Sequence, residues 1–156
     1  MKKSNLILGI FIALITFSAC NKEDEIILTP EELIVQYSPW SFTGLELVNI
    51  VNNGNIDFDK QQWEDDIDSD TGDLTFIFKT DGTVSFIKKN PPNPDKVEYW
   101  NWEIIDGDQL KFYKDDSDDI TLFYDLKVTE THLEFALNDI EVDDNVIADV
   151  KYLFNK

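Results

Sequence analysis

The stretch Leu74–Lys89, LTFIFKTDGTVSFIKK, decides the fold of this chain. Two runs of alternating apolar residues flank Asp81-Gly82, a dipeptide that strongly marks a tight β-hairpin. A three-residue loop, Thr80–Gly82, places the apolar residues of both runs on one face and Gly82 in the left-handed position of a G1 bulge. The predicted cross-strand partners are Phe76 with Phe86 and Phe78 with Val84.

The alternating pattern recurs along the chain. Turn signals separate further strand-like segments at 39–51, 97–105, 109–114, 120–128, 133–137 and 146–154. Short connections favour antiparallel neighbours, and strands that are apolar on one face must close on themselves or be covered. We therefore predict an all-β fold, an eight-stranded antiparallel up-and-down barrel. In the sixth strand we expect the shared face to hold Ile120, Leu122, Tyr124, Leu126 and Val128.

Three features precede the hairpin. Thr29-Pro30-Glu31-Glu32 predicts a short N-terminal helix over about Pro30–Gln36, with a capping box at its start. The interrupted alternation near Gly44 predicts a bulge in the first strand. The acidic segment Asn52–Asp73 is expected to be a long loop.

The first 19 residues have the features of an export signal. Lys2 and Lys3 precede the apolar run Leu6–Phe17, which is too short to span a bilayer comfortably. The following Phe17-Ser18-Ala19-Cys20 resembles the lipobox of bacterial lipoproteins, with Phe17 where leucine is usual. This resemblance implies lipidation of Cys20, and the alternative is a free or buried cysteine after an ordinary cleaved signal. The predicted organisation is a signal peptide at 1–19, an acidic tether at 20–28 and one barrel domain at 29–156.

Residues 21–25, Asn-Lys-Glu-Asp-Glu, resemble the surface-export signal of Bacteroidota lipoproteins. The resemblance implies a lipid anchor in the outer membrane that faces the cell surface. A periplasm-facing anchor is the alternative, and a short charge run is also typical of a solvated tether. In either case the lipid bilayer is an expected partner, through acylated Cys20.

Four short segments carry a further resemblance, to the lipocalin-like domains of Bacteroidota lipoproteins. They are Trp40 at the start of the first strand, Leu74–Phe76 followed by Asp81–Thr83, Trp102–Ile104 followed by Asp106–Leu110, and Thr129–Leu133. The resemblance implies a calycin-type barrel with a helix or loop near one mouth. The chain departs from the family pattern at Pro39, because lipocalins usually have a glycine before the first-strand tryptophan.

Charge limits the classes of partner. The 156 residues carry 32 acidic side chains, 13 lysines and no arginine, for a net charge of −19. Nucleic-acid binding depends on neutralising phosphates with basic side chains, so we expect no nucleic-acid partner. A membrane-bound form must be held by lipid, since no basic patch is available.

The segment Asp66–Gly72 resembles the start of a calcium loop, but its glycine comes one residue late and position 12 would be Ile77. The segment is therefore not an EF-hand. A looser oxygen-ligand site at Asp66, Asp68 and Asp70 stays open as a weak candidate for calcium. The alternative is a solvated acidic loop, and no other cofactor is expected.

Catalysis is not expected. His132 is the single histidine, it lies next to turn residues, and Cys20 is assigned to lipidation. A nucleophilic triad or a zinc site would need more such groups. The chain is therefore predicted to be non-enzymatic.

Aromatic residues are the candidate ligand contacts. Trp100 and Trp102 share a strand face and either fill the barrel or stack on a ligand, and Tyr99 lies beside them. Trp63, in the acidic segment, is either a plug over the barrel mouth or a ligand contact. The predicted function is binding of a small apolar or glycan-like ligand through Trp63, Tyr99, Trp100 and Trp102. The alternative is a solid-core structural or inhibitor-like module that binds a protein and no small molecule.

Overall fold

The structure is a computed structural model that describes residues 27–115 and 117–156, without the side chain of Asp70. The predicted signal peptide, Cys20 and most of the tether lie outside the described residues. Two helices and eight strands form in the order α1 (Pro30–Gln36), β1 (Trp40–Asn52), α2 (Lys60–Thr71), β2 (Leu74–Phe78), β3 (Thr83–Lys88), β4 (Lys96–Ile105), β5 (Gln109–Tyr113), β6 (Ile120–Val128), β7 (His132–Asp143) and β8 (Val146–Asn155).

The eight strands form a closed antiparallel barrel, which confirms the predicted fold class. Each strand pairs with the next in sequence, and β8 pairs with β1. The predicted hairpin register is also confirmed, because Phe76 lies opposite Phe86 and Phe78 opposite Val84. Gly82 has a φ of 80°, the left-handed conformation that the G1 bulge requires.

Helix α1 covers one end of the barrel. Its capping box forms as predicted: the Thr29 hydroxyl accepts from the N–H of Glu32, and the Glu32 carboxylate accepts from the N–H of Thr29. Ile34 is fully buried against the barrel core, and its carbonyl accepts a hydrogen bond of 2.8 Å from the indole of Trp40. The helix is thereby tied to the first strand.

Aromatic rings fill the barrel interior. The Phe76 ring lies 4.4–6.3 Å, centroid to centroid, from the rings of Phe78, Phe86, Phe112, Phe135 and Phe154. Full burial of such a side chain contributes about 1.5–3 kcal/mol to folding. The interior is therefore the main source of stability.

The prediction that Asn52–Asp73 is a loop was wrong in its second half, which forms α2. The Asp59 carboxylate caps this helix by accepting from the N–H of Gln62. Trp63 and Ile67, four residues apart, are its apolar contacts with the barrel. So narrow an apolar stripe in an acidic segment gives little helical periodicity, which explains the error.

The predicted inner face of β6 was wrong in its first half and correct at Leu126 and Val128, which pack in or against the core. Phe123 lies opposite Leu110 and is buried, whereas Ile120 is 60% exposed. Asp125 adopts a φ of 52° where the register with β7 shifts. This bulge shifts the alternation of inward- and outward-facing side chains by one residue, so that both Phe123 and Leu126 face the core.

Strand β1 extends beyond its partner β2. Among the described residues, the two strands pair at Trp40 and Ser41 alone, and a register shift near Gly44 confirms the predicted bulge. The inner faces of the long β1 and β8 strands then form a second apolar cluster, which α2 covers. Its buried members are Leu45, Leu47, Ala148 and Val150.

Candidate functional site

An open cleft of about 400 Å³ lies where β4 and β5 separate. In the described part of the chain, β4 pairs with β5 from Asn101 onward only, so the first half of β4 has a free edge on that side. The chain that leaves β5 forms the opposite wall. The cleft is lined by Thr83, Tyr99, Trp100, Asn101, Lys114, Asp115 and Ser117.

Two consecutive aromatic residues of β4, Tyr99 and Trp100, line the cleft. Because successive side chains of a strand point to opposite faces, the two residues approach the cleft from opposite faces of β4. Tyr99 is 67% exposed. Trp100 is half-buried and stacks on Phe86, with ring centroids 6.0 Å apart and planes inclined by 29°. Tyr99 thus presents free ring surface, and Trp100 is held in a fixed position by the core.

The ammonium of Lys114 lies over the Trp100 ring, 4.2 Å from its centroid. At the edge of the indole, the Nε1–H donates to the Glu98 carboxylate at 3.3 Å. A cation on the ring face and a carboxylate at the ring edge both match the charge distribution of an indole. Trp100 therefore contacts two charged groups as well as the core ring of Phe86.

Polar side chains complete the cleft. The Asn101 amide donates to the Asp115 carboxylate at 2.8 Å, which ties the chain after β5 to β4. The Thr83 hydroxyl donates to Asp81 at 2.6 Å, and this bond lowers the pKa of the Asp81 carboxyl. Sequence reasoning missed all of these residues, since Thr83 and Asp115 lie in or beside turns that carry no binding signal.

Trp102 lies away from the cleft. It is 4% exposed, and its ring is nearly perpendicular to Phe78 at 5.1 Å. Its indole N–H donates to the carbonyl of Lys79, the residue that opens the central turn. This candidate ligand contact is placed in the barrel core.

Trp63 lies on α2, against the second apolar cluster. Its indole N–H donates to the carbonyl of Val142 at 2.9 Å, and its ring is partly buried. This position matches the plug alternative, because the helix folds back over the long strands. Tyr99 and Trp100 therefore both line the cleft, from opposite faces of β4, whereas Trp63 and Trp102 lie elsewhere.

The acidic candidates lie on α2. Asp66 and Asp68 are two residues apart, so they point in different directions from the helix. The Asp68 carboxylate faces β1, and burial raises the pKa of this carboxyl. Within residues 27–115 and 117–156, no cluster of three or more His, Cys, Asp or Glu could hold a metal ion; the Asp70 side chain lies outside the description.

His132 is exposed at the start of β7. Its Nδ1 lies 2.8 Å from the Thr131 hydroxyl, and its backbone N–H donates to Thr129. These contacts belong to the turn between β6 and β7.

No protein-family model, curated protein or solved structure matches this chain. None of the helices in the described ranges is long and apolar enough to cross a membrane. The function is therefore inferred from the geometry of the cleft.

Proposed function

We propose that this chain is a lipid-anchored, non-enzymatic lipoprotein with a lipocalin-like barrel that binds a glycan-type ligand in the cleft at Tyr99 and Trp100. The observation that carries the proposal is that both aromatic residues line one open cleft together with amide, hydroxyl and carboxylate groups. Small-molecule sites combine apolar surface with a few placed polar groups in this way.

The chemistry of the cleft suits a pyranose ring. Such a ring has C–H groups on its faces, which pack on aromatic rings, and hydroxyls at its edge. The exposed ring of Tyr99 offers the stacking surface. The side chains of Asn101 and Asp115 offer both donors and acceptors for hydroxyls. The volume of about 400 Å³ lies within the range of small-molecule sites.

The barrel interior is a poorer site for the ligand. The rings around Phe76 contact one another at 4.4–6.3 Å and occupy the centre of the barrel. An apolar ligand would have to displace these rings, which costs packing energy on every side. This favours the outer cleft over an interior cavity.

The packed interior also favours a second candidate function, a protein-interaction module without a small-molecule ligand. Val97, Tyr99 and Ile120 expose 43%, 67% and 60% of their surfaces. Exposed apolar and aromatic side chains are typical of binding surfaces for proteins. In this case the cleft would bind no saccharide.

The anchor is proposed from the sequence resemblance at Phe17–Cys20. We expect the mature chain to begin at acylated Cys20 in the outer membrane, facing the cell surface, with a periplasm-facing anchor as the alternative. Mass spectrometry of the detergent-extracted protein should show a lipid-modified Cys20, and Cys20→Ala should leave the precursor unlipidated. An unmodified thiol in the wild-type protein would contradict the anchor, and protease treatment of intact cells distinguishes the two orientations.

Ligand binding is tested with three β-1,4-linked tetrasaccharides: cellotetraose, the N-acetylglucosamine tetramer and the glucosamine tetramer. Calorimetry should detect binding of at least one, and Tyr99→Ala should weaken it about 5- to 10-fold, as expected for loss of about 1 kcal/mol of ring packing. Ile56→Ala is the control, because Ile56 is 93% exposed and does not line the cleft. Absence of binding to all three would overturn the proposal in favour of the protein-interaction module.

A further inference from the structure

We infer that the ligand carries a positively charged amine, which takes the place of the Lys114 ammonium over Trp100. This inference rests on the proposed function, since it concerns the same cleft, and it adds the chemical class of the ligand. An amino sugar with a free amine is the class of saccharide that it specifies.

The cleft already holds an ammonium group, that of Lys114. Lys114 Nζ lies 4.2 Å from the centroid of the Trp100 ring, although the chain has 32 acidic side chains with which a lysine could pair. In the described part of the chain, other lysines, among them Lys60, Lys89, Lys111, Lys127 and Lys151, form ion pairs within 4.0 Å. The face of Trp100 is thus a cation site in the folded chain.

Carboxylate groups lie at the edge of the Trp100 indole and in the cleft wall. Glu98 lies at the indole edge, 3.3 Å from Nε1, and Asp115 forms part of the cleft wall. The net charge of −19 adds a negative field over the whole surface. Aromatic rings combined with carboxylates are the surroundings that bind ammonium groups, whereas an acidic sugar would be repelled.

The position of Lys114 allows its ammonium to leave the Trp100 ring. Lys114 is half-buried and lies just beyond the end of β5, in the wall of an open cleft. Its long side chain has the freedom to swing into solvent when another cation takes its position. Lys114 therefore acts as an internal competitor for the ligand amine.

The three tetrasaccharides isolate the amine, because they share one backbone and differ at C2 in a hydroxyl, an acetamide or an ammonium group. In the wild-type protein the ligand amine exchanges one cation–π contact for another, so we expect the glucosamine tetramer to bind more tightly than the two neutral tetramers through its attraction to Glu98 and Asp115. In Lys114→Ala, where no ammonium competes for the ring, the preference should reach at least about 5-fold. This preference should shrink when the salt concentration is raised from about 50 mM to about 500 mM.

An acidic protein attracts any cation, so two variants identify the site. Lys114→Ala should tighten glucosamine-tetramer binding about 3- to 10-fold, because it removes the competing ammonium. Lys111→Ala is the matched control: it removes the same charge and also a cation–π contact, over Tyr113, but Lys111 does not line the cleft. Trp100→Leu, with its fold checked by circular dichroism, should abolish the preference for the amine, whereas Tyr99→Ala should weaken every tetramer that binds and leave the preference in place.

The outcomes separate the two proposals. If the neutral tetramers bind as tightly as the amine and still require Tyr99, the further inference is overturned while the proposed function stands. If Lys114→Ala weakens amine binding, or changes it no more than Lys111→Ala does, the competitor role is overturned. If no tetrasaccharide binds, both proposals fail together.

Discussion

The carboxylate of Asp68 on α2 accepts a hydrogen bond from the backbone N–H of Leu45 on β1, at 2.9 Å. One helical turn earlier, Glu64 accepts from the N–H of Leu47 at 2.6 Å. These N–H groups lie on the part of β1 that β2 does not reach, and an uncovered strand edge invites pairing with other chains. Side chains of α2 therefore take the place of a neighbouring strand along this edge.

We predict that Asp68→Asn stabilises the protein at neutral pH. Burial of Asp68, together with repulsion from Asp65 and Glu64, raises the pKa of its carboxyl above the ordinary aspartate value. The folded state therefore binds this proton more tightly than the unfolded state, and ionisation of Asp68 lowers the free energy of unfolding as pH rises through the folded-state pKa. Asparagine keeps an acceptor oxygen for the Leu45 N–H without the charge.

Urea titration of both proteins at about pH 7 and about pH 3 measures this effect, because acid protonates carboxyl groups and so removes the charge that burial disfavours at Asp68. The advantage of Asp68→Asn should be present at neutral pH and largely lost in acid. Asp66→Asn, an exposed position on the same helix, controls for the general removal of a negative charge. A pH-independent difference for Asp68→Asn would contradict the assigned cause.

A second prediction concerns Gly44, which lies beside Asp68. Its φ is 153°, and a Cβ at this position would lie 3.2 Å from Asp68 Oδ2. Gly44→Ala should lower the free energy of unfolding by about 1–3 kcal/mol through backbone strain and this close contact. In a double-mutant cycle with Asp68→Ala, part of the loss should disappear, because the contact is removed. If the free-energy changes of the two single variants simply add, the Asp68 carboxylate makes no destabilising contact with the methyl group added at position 44.

A third prediction tests whether α2 opens as a unit. Trp63→Phe keeps most of the apolar ring but loses the hydrogen bond to the Val142 carbonyl, which should cost about 1 kcal/mol. Hydrogen exchange of the Leu45 and Leu47 amides should accelerate about 5-fold, because both are protected by α2. The amide of Phe86, in the central hairpin, serves as the internal reference. Equal acceleration of Phe86 would mean that α2 opens only when the whole barrel unfolds.

The parts of the fold that rest on local signals were predictable. Asp81-Gly82 defined the hairpin register, and Thr29 with Glu32 defined the start of α1. Helix α2 was missed because tertiary contacts of Trp63 and Ile67, rather than a regular apolar face, hold it in place. Phe123 was missed because the Asp125 bulge reverses the alternation within β6.

The cleft was predictable only in part. Tyr99 and Trp100 were candidates as aromatic neighbours, but their meeting with Lys114 and Asp115 depends on where β5 ends relative to β4. That stagger is a property of the closed barrel, since strand tilt and register are linked around its circumference. A single sequence does not encode it in any local motif.

The most direct test of the account is a ¹H–¹⁵N titration of the full chain with the glucosamine tetramer, followed through the indole N–H signals of the four tryptophans. Each indole reports a different place: Trp40 beside α1, Trp63 on α2, Trp102 in the core and Trp100 in the cleft. If the ligand binds in the cleft, we expect a saturable shift of the Trp100 signal, while the Trp40 and Trp102 signals stay in place. Shifts of the Trp40 and Trp102 signals without a shift of the Trp100 signal would place the ligand inside the barrel and contradict binding in the cleft.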